Sequence, residues 1–342
     1  MNPVLDAFAR PLRSLRISVT DRCNLRCEYC MPQEDYVWLE RSELLRFEEI
    51  AELARIFAAI GVEKIRLTGG EPLLRRDLDR LVSMLAGISG IRDLALTTNG
   101  LRLGQSAALL RQAGLRRITV SLDTLHPERF TALTRRSGHD RVILGIRAAR
   151  GAGYEAVKIN AVIVRGFNDD ELAPLIEFGR QHGAEVRFIE YMDVGGATRW
   201  SSRQVFSAAE MLQSLSLRYG AIESAGHHDP AAPAQEYRLP DGLRFGIISS
   251  TTQPFCGSCD RARVTADGMF FRCLYAHSGT DLKRMLRAGT ATAEIAAVIR
   301  SLWTERRDRG AEQRLAIGTR APLFRVEELR ANPHREMHTR GG

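Results

Sequence analysis

The sequence predicts an α/β fold, an incomplete (βα)6 barrel followed by a smaller C-terminal α+β region. Six β-rich runs alternate with amphipathic helical stretches over residues 15–189, a rhythm typical of parallel strands joined by crossover helices. Ligand-capable polar residues follow all six runs. A barrel brings the carboxyl ends of its strands to one mouth, whereas an open sheet concentrates ligands at its switch point, so the barrel is favoured.

The predicted strands lie at residues 15–20, 64–68, 93–98, 117–122, 156–164 and 185–189. The predicted helices between them lie at residues 47–59, 75–85, 105–113, 141–149 and 170–181. Gly61, Gly114, Gly153 and Gly183 each follow a helix, as expected for left-handed helix ends.

The alternation of strands and helices ends after the sixth strand. Further along the chain, residues 225–240 are rich in Pro, Gly and Ala. This composition predicts a flexible surface connection, on which His227 and His228 are solvated. The chain therefore divides into a barrel region (1–224), the connection (225–240) and a C-terminal region (241–342). In the last region we expect a strand at 243–249, helices at 280–287 and 292–306, and little structure in the polar tail from Asn332.

Composition limits the class of protein. A chain of 342 residues with 44% hydrophobic and 26% charged residues, without a membrane-spanning apolar run or a signal-peptide core, is expected to be soluble. Cysteines clustered a few residues apart argue against a disulfide scaffold, so the cytosol is the expected compartment and no membrane partner is predicted. The net charge of +8 indicates an acidic partner. Because no nucleic-acid-binding motif is present, we favour a phosphorylated small molecule over nucleic acid.

All six cysteines fall into two triplets, each one ligand short of the usual four. The first triplet is Cys23, Cys27 and Cys30, and the second is Cys256, Cys259 and Cys273. An open metal position is where chemistry takes place, so two such sites indicate an enzyme. The spacing alone leaves two alternatives, an iron–sulfur cluster with one open iron and a Zn site completed by a remote His; His277 is a possible fourth ligand of the second triplet.

The residues around the first triplet narrow these alternatives. The stretch SVTDRCNLRCEYCMP at 18–32, together with GGEP at 69–72, resembles the signature of the radical S-adenosylmethionine superfamily. The resemblance implies a [4Fe–4S] cluster on the first triplet, whose open iron binds S-adenosylmethionine, and release of a 5′-deoxyadenosyl radical. It also implies cofactor contacts, with the ammonium group received by Gly70 and Glu71 and the remainder contacted by Tyr29, Ser121 and Met192.

The second triplet narrows the family further. The stretch FCGSCDRARVTADG at 255–268, followed by Cys273 and Leu274, resembles the C-terminal cluster motif of the GTP 3′,8-cyclase family, with Asp260 in place of the usual Asn. The resemblance implies a second [4Fe–4S] cluster whose open iron binds the guanine of GTP. The implied reaction forms (8S)-3′,8-cyclo-7,8-dihydroguanosine 5′-triphosphate, the first step of molybdenum cofactor biosynthesis. The implied partners are a low-potential electron donor and a downstream cyclic pyranopterin monophosphate synthase, and the implied assembly is a monomer or homodimer.

A triphosphate needs fixed cations, preferably arginines. By motif, the GTP contacts implied are Arg16, Arg66, Thr97, Lys158, Arg261 and Arg263, with Arg187 as a catalytic candidate. Several of these charges lie on strands where apolar residues are expected, so they require a partner or a polar cavity. In contrast, Arg116, Arg135–Arg136 and Arg306–Arg307 have no such context and are predicted to be solvated.

The chain ends in Gly341–Gly342, which matches the family's terminal glycine pair and implies that the tail reaches the active site. Only glycine follows a narrow channel with unusual backbone dihedrals. Arg340 stands where the family has Ile.

Two other functions remain open from the sequence. One is a radical S-adenosylmethionine enzyme that acts on another substrate, such as a peptide. The other is a Zn-binding, nucleic-acid-associated protein without catalytic activity, which the positive charge permits.

Overall fold

The computed structural model describes residues 3–226 and 229–341 of the chain. Its strands form one mixed sheet in the order β12-β11-β10-β1-β2-β3-β4-β5-β6-β9-β8-β7. The strands are β1 (Ser14–Ser18), β2 (Lys64–Thr68), β3 (Asp93–Thr98), β4 (Arg117–Ser121), β5 (Ala156–Ile163), β6 (Glu185–Glu190), β7 (Glu223–Gly226), β8 (Gln235–Arg238), β9 (Arg244–Ile248), β10 (Arg261–Val264), β11 (Met269–Phe271) and β12 (Thr280–Asp281).

Helices connect and cover these strands. They are α1 (Phe47–Ala59), α2 (Leu78–Ala86), α3 (Leu103–Gln112), α4 (Pro127–Thr134), α5 (His139–Gly151), α6 (Leu172–His182), α7 (Ala208–Tyr219), α8 (Leu282–Arg287), α9 (Thr292–Thr304), α10 (Gly310–Leu315), α11 (Val326–Ala331) and α12 (Met337–Arg340). None of the described helices is long and apolar enough to cross a membrane.

The six strands predicted from the β/α rhythm are confirmed, and β1 to β6 pair in parallel in chain order. The C-terminal region extends this array at both edges, because β10 pairs in parallel with β1 and β9 pairs in parallel with β6. Further antiparallel strands continue the sheet beyond β9 and β10. The C-terminal region is therefore continuous with the barrel sheet.

The alternation of side chains along each strand separates two environments. In β2, Ile65 and Leu67 are buried on one face, whereas Arg66 points to the other. In β5 the exposure pattern alternates over eight residues in the same way. The apolar face belongs to the large core cluster that includes helix residues such as Phe57 and Leu81. The opposite face lines the barrel interior and carries most of the polar residues.

Two segments differ from the sequence-based expectation. Within residues 225–240, predicted to be a flexible connection, β8 pairs with β9 in antiparallel register, and Gly226 ends β7. His227 and His228 lie outside the described residues. The tail also has more structure than predicted, since α12 contains His338, Thr339 and Arg340, all buried. Both segments acquire structure from tertiary pairing that their local composition does not indicate.

Asp193, just after β6, joins the barrel to the C-terminal region. Its fully buried carboxylate accepts hydrogen bonds from Arg314 Nε at 2.8 Å and the Tyr275 hydroxyl at 3.3 Å, and it forms an ion pair with Arg320 at 3.0 Å. Its carbonyl oxygen accepts a hydrogen bond from the backbone of Leu323. One carboxylate therefore fixes α10 and residues 320–323 against the end of the barrel.

Replacing this carboxylate tests its structural role. The substitution Asp193→Asn leaves two arginines without their charge partner in a buried setting, so we expect the free energy of unfolding to fall by about 3 kcal/mol. The matched control is Asp241→Asn, because Asp241 is 49% exposed and pairs with the exposed Arg180. We expect a much smaller loss there, because an exposed ion pair contributes little to stability. Urea unfolding of both variants and of the parent chain, under anaerobic conditions, measures the two losses of stability. Equal losses would contradict the structural role assigned to Asp193.

Candidate functional site

Three arginines stand side by side in the barrel interior. Arg16 on β1 is in register with Arg66 on β2 and with Arg263 on β10, and adjacent strands lie about 4.8 Å apart. No carboxylate in the described part of the chain is within ion-pair distance of these three guanidinium groups. Burial, followed by repulsion from neighbouring arginines, lowers the pKa of Arg16, and it lowers the pKa of Arg66 and of Arg263 to about 10. The row is a preformed site for an anion.

The row continues around the barrel with polar residues. Arg66 Nη1 donates hydrogen bonds to the hydroxyls of Thr97 on β3 and Thr119 on β4, both at 3.1 Å. On the far side, Lys158 of β5 and Arg187 of β6 share the carboxylate of Glu185, at 3.0 and 2.6 Å. Burial and the neighbouring Arg187 lower the pKa of Lys158. The structure thus brings Lys158, Arg187 and Thr97 to the same interior face as the three arginines.

Glycine at position 70 allows the first cysteine loop to approach the end of β2. The backbone N–H of Gly70 donates to the Thr20 carbonyl at 2.9 Å, and that of Glu71 donates to the Arg22 carbonyl at 2.8 Å. A Cβ atom on Gly70 would lie 2.4 Å from the Arg22 carbonyl oxygen. Any side chain there would push the loop of the first triplet away from β2.

The Glu71 side chain is hydrogen-bonded within the protein, next to Gly70. Its carboxylate, 1% exposed, accepts hydrogen bonds from the backbone of Leu73 and Asn99 and from the Thr98 hydroxyl. Burial raises its pKa to about 6. A carboxylate used in three internal bonds fixes the loops after β2 and β3 to each other.

Tyr29 and Asp123 connect the first cysteine loop to β4 and β5. The Tyr29 hydroxyl donates to Asp123 Oδ2 at 2.7 Å, and the backbone of Val162 donates to Asp123 Oδ1 at 2.8 Å. Burial raises the pKa of Asp123 to about 6. Ser121, at the end of β4 in register with Asn160, and Met192, after β6, are half-buried near the strand ends. Sequence reasoning did not assign a role to Asp123.

The loop after β6 reaches the first triplet from the opposite side. A Cβ on Gly196 would lie 1.8 Å from the Cys30 carbonyl oxygen, so only glycine fits there. Asn99, after β3, donates to Cys23 Sγ at 3.9 Å and to Asn24 Oδ1 at 2.8 Å. Loops from β1, β3 and β6 therefore meet around the first triplet, as the barrel prediction required.

The second triplet lies beside β10. Cys256 begins a 3-10 turn, Cys259 precedes β10, and Cys273 follows β11. Asp260, the residue that departs from the family motif, is buried and accepts a hydrogen bond from the Ser14 hydroxyl at 2.9 Å. Its backbone oxygen receives the N–H of Ser14. Asp260 therefore anchors the loop to β1.

The thiols of the two triplets differ in acidity. Burial raises the pKa of Cys23 to about 11 and that of Cys27 and Cys30 well above the usual thiol value. Burial alone would also raise the pKa of Cys259, but Arg261 and Arg306 outweigh it and lower the pKa to about 6. A thiolate at Cys259 is therefore favoured at neutral pH before any metal binds.

Arg306 was predicted to be solvated, and this prediction is wrong. It is 1% exposed, and its Nη2 donates to Cys259 Sγ at 3.5 Å. Its neighbour Arg307, also predicted to be solvated, is exposed, as is Arg116. Arg135 is half-buried and donates to the Pro32 carbonyl. Arg306 was missed because its partners are distant in the sequence, and the end of α9 at Thr304 puts it on a buried turn.

A cavity of about 490 Å³ borders the second triplet. Cys273, Tyr275, His277, Gly310 and Arg314 are among its lining residues. The backbone N–H groups of Ala311 and Glu312, at the start of α10, hydrogen-bond Cys256 and oppose the effect of burial on its pKa. The second triplet therefore has a cavity next to Cys273 and backbone N–H donors next to Cys256.

The donor sets fit iron–sulfur clusters. All six cysteines are free thiols on loops or turns, half-buried, and Cys23 and Cys259 already accept hydrogen bonds at sulfur. Within residues 3–226 and 229–341, no group of three His, Cys, Asp or Glu side chains is arranged to hold a single metal ion. A cubane cluster places each thiolate on a different iron, so its ligands surround a cluster instead of converging on one ion.

The C-terminal tail enters the same interior. Arg263 Nη1 donates to the Gly341 carbonyl oxygen at 2.5 Å, and Gly341 has a φ of 69°. A Cβ on Gly341 would meet the Thr68 hydroxyl at 1.8 Å. Arg340 is buried, donates to the Leu274 carbonyl at 2.6 Å and lies 4.3 Å over the Phe271 ring. Gly342 lies outside the described residues.

Two family models match consecutive parts of this chain. The model of the Radical SAM superfamily matches residues 17–179, and the model named Molybdenum Cofactor Synthesis C matches residues 184–312. The two matches together define a radical S-adenosylmethionine protein with an added C-terminal region, and its cofactors are S-adenosylmethionine and two [4Fe–4S] clusters.

Full-length relatives identify the family. GTP 3′,8-cyclase 1 of Mycobacterium tuberculosis is 54% identical over 99% of this chain and 95% of its own length. GTP 3′,8-cyclase 3 of Mycobacterium bovis is 52% identical over 100% of this chain and 91% of its own length. GTP 3′,8-cyclase of Acidothermus cellulolyticus is 49% identical over 91% of this chain and 89% of its own length. The chain belongs to the GTP 3′,8-cyclase family.

Solved structures support the fold. Streptococcus suis SuiB bound to S-adenosylmethionine superposes with a TM-score of 0.57 at 18% identity, covering 93% of this chain and 77% of SuiB. SuiB bound to its precursor peptide SuiA gives a TM-score of 0.55 at 17% identity, over 85% of this chain and 67% of that one. At this identity the likeness extends to the fold alone.

Gly70 provides a test of the loop geometry. We expect Gly70→Ala to displace the first cysteine loop, because the new Cβ collides with the Arg22 carbonyl oxygen. The chain should then hold roughly four of the about eight irons of two cubane clusters. The control is Gly104→Ala on α3, where nothing lies within 4 Å of the added atom and alanine favours the helix. Iron and sulfide analysis after anaerobic reconstitution measures both; full iron content in Gly70→Ala would reject the argument.

Proposed function

We propose that this chain converts GTP to (8S)-3′,8-cyclo-7,8-dihydroguanosine 5′-triphosphate, the first step of molybdenum cofactor biosynthesis. The observation that carries the proposal is the row of Arg263, Arg16 and Arg66, three interior cations in register without a carboxylate partner in the described structure. A triphosphate with about four negative charges supplies the missing partner, and arginine binds phosphate in bidentate geometry. The relatives described above carry the name of this activity.

The iron–sulfur clusters would supply redox chemistry that amino-acid side chains do not provide. In this proposal Cys23, Cys27 and Cys30 would hold the first cluster, whose chemistry would be the one-electron reductive cleavage of the sulfonium C–S bond of S-adenosylmethionine. Cys256, Cys259 and Cys273 would hold the second cluster, which would bind the guanine. The hydrogen atom at C3′ of the ribose would pass to the 5′-deoxyadenosyl group, giving 5′-deoxyadenosine, and C3′ would bond to C8 of guanine. One further electron and one proton would complete the product.

The residues of the chain bind and orient the two reactants. The residues assigned to S-adenosylmethionine are Tyr29, Gly70, Glu71, Ser121 and Met192, and Glu71 also keeps the loops after β2 and β3 in place. The cations hold the triphosphate, and Thr97 holds the Arg66 side chain. The residues assigned to GTP are Arg16, Arg66, Thr97, Lys158, Arg261 and Arg263. Arg187, bound to Glu185, lies across the barrel from the arginine row and faces the reacting nucleoside.

The tail completes the pocket in this proposal. The hydrogen bond from Arg263 to the Gly341 carbonyl oxygen supports a role for Gly341 next to the cations assigned to the triphosphate. Gly341 and Gly342 act there by excluding water and aligning the nucleotide. Free thiols and the oxygen-sensitive clusters suit the cytosol, where a low-potential electron donor supplies electrons. The product passes to a cyclic pyranopterin monophosphate synthase, and the chain works as a monomer or homodimer.

The activity is tested with the anaerobically reconstituted chain, S-adenosylmethionine and dithionite. Adding GTP should produce 5′-deoxyadenosine and a cyclised nucleotide in equal amounts, detected by mass spectrometry. Arg16→Ala should raise the KM for GTP about 10- to 100-fold, since it removes a charged hydrogen-bonding partner of phosphate. Arg116→Ala, on an exposed position of the loop before β4, is the control and should leave KM unchanged. No 5′-deoxyadenosine with GTP would end the proposal, and its formation only with a peptide would favour the alternative enzyme class.

The tail is tested separately. Deleting Gly341–Gly342 should abolish cyclisation while both clusters still assemble, because the cysteines and their loops are untouched. Gly341→Ala should have a similar effect, since its Cβ meets Thr68 at a positive φ. Gly318→Ala, where nothing lies within 4 Å of the new atom, is the matched control. Product formation and iron content are measured together; unchanged cyclisation in the deletion variant would refute the role of the tail.

A further inference from the structure

The N-terminal segment covers the second cysteine loop through one buried carboxylate. Asp6 accepts hydrogen bonds at Oδ2 from Arg10 Nε at 2.6 Å and from Arg306 Nη1 at 3.2 Å. The side chains of all three residues are at most 2% exposed. Asp6 Oδ1 is occupied by the backbone N–H groups of Phe8 and Arg10. The carboxylate therefore has bonds at both oxygens and fixes two arginines in one orientation.

Both arginines reach from Asp6 to the loop that carries two cysteines. Arg10 Nη1 donates to the Cys256 carbonyl at 2.7 Å, and Arg306 Nη1 donates to the Cys259 carbonyl at 2.8 Å. Arg306 Nη2 continues to Cys259 Sγ at 3.5 Å. The Arg306 guanidinium also lies 4.4 Å from the centre of the Trp303 ring, whose indole N–H bonds the Arg10 carbonyl. Side-chain packing and three side-chain hydrogen bonds leave Arg306 little freedom.

The first triplet also has an arginine at its backbone, because Arg26 Nη1 donates to the Cys23 carbonyl at 2.9 Å, but the donors to sulfur differ between the two triplets. At Cys23 the donors to sulfur are the Leu25 backbone and the Asn99 amide, both neutral. At Cys259 the donors are two guanidinium groups, Arg306 at 3.5 Å and Arg261 at 3.7 Å. Positive charge and hydrogen bonds at a ligating sulfur stabilise the more negative, reduced state of a cluster and retain the ligand. The asymmetry gives the two clusters different electrostatic surroundings.

We propose that Arg306, oriented by Asp6, is a positioning residue for the second cluster: it holds Cys259 on its iron and makes that cluster easier to reduce. Arg10 orients Cys256 through the backbone in the same network. The inference rests on the second cluster of the proposed function and does not depend on the identity of the substrate. Its consequence is a second cluster that accepts the electron needed at the end of the cyclisation.

The experiment isolates the second cluster in the full-length chain by the substitutions Cys23→Ala, Cys27→Ala and Cys30→Ala. In this background Arg306→Gln should release iron to a chelator about 10- to 100-fold faster, the usual effect of losing a bond to a metal ligand. The ratio of reduced to oxidised cluster at a fixed potential should fall about tenfold, which equals about 59 mV for one electron. EPR during a redox titration measures the second quantity without reference to activity.

Three further variants separate positioning from general stability. Arg306→Lys keeps the charge but only part of the hydrogen bonding, so it should recover part of the potential. Asp6→Asn keeps the shape but weakens the contact that orients Arg306, so it should speed iron release in the same direction as Arg306→Gln. Arg307→Gln, on the exposed neighbouring residue, should match the parent chain. If Arg306→Gln does not fold by circular dichroism, Asp6→Asn and Arg306→Lys carry the test.

The outcomes distinguish this inference from the proposed function. A parent chain without the first triplet that binds no iron–sulfur cluster would overturn both. A second cluster with unchanged potential and iron release in all the Arg306 and Asp6 variants would overturn the positioning role alone. The expected shift in those variants, with Arg307→Gln unchanged, supports it.

Discussion

Electrostatic repulsion among the interior arginines is the constraint on which the rest of the barrel depends. Arg263, Arg16 and Arg66 occupy one level of three adjacent strands, where burial and repulsion from neighbouring arginines lower their pKa values. Burying such a row costs free energy, which the surrounding fold must offset. The apolar outer faces of the strands belong to the large core cluster and contribute to that compensation. An anion in the space that the row faces would reduce the repulsion.

Close backbone contacts position the loops that form the candidate site at the end of the barrel. Gly70 and Gly196 allow two different loops to touch the first cysteine segment, one at Arg22 and one at Cys30. Asp193 fixes the C-terminal segment against the end of β6. These contacts determine where the thiols lie, because a loop that bears three ligands has no periodicity of its own to position them. The strands of the sheet have fixed positions. Gly70, Gly196 and Asp193 hold the loops against the ends of these strands.

The sequence predicted the features that have a local pattern. The order of β1 to β6 followed from alternation and the glycines after helices, and the cysteine triplets followed from spacing. The strand β8 escaped prediction because four polar residues next to prolines acquire a strand only by pairing with β9. Arg306 escaped it because its partners Cys259 and Asp6 lie 47 and 300 residues away. Thr119 was also missed. It lies between Arg117 and Ser121 at alternating positions of β4, and this alternation could have identified it as a polar residue that faces the interior.

Arg340 explains how this chain docks its tail without the isoleucine of the family motif. Its guanidinium lies over Phe271 and bonds the carbonyl oxygens of Leu274 and His334, so cation–π contact and hydrogen bonds replace aliphatic packing. Burial lowers its pKa to about 9, which leaves the side chain charged at neutral pH. Leu274 directly follows Cys273, and the next tail residue, Gly341, bonds Arg263. The tail therefore contacts both the second cysteine loop and the row of arginines.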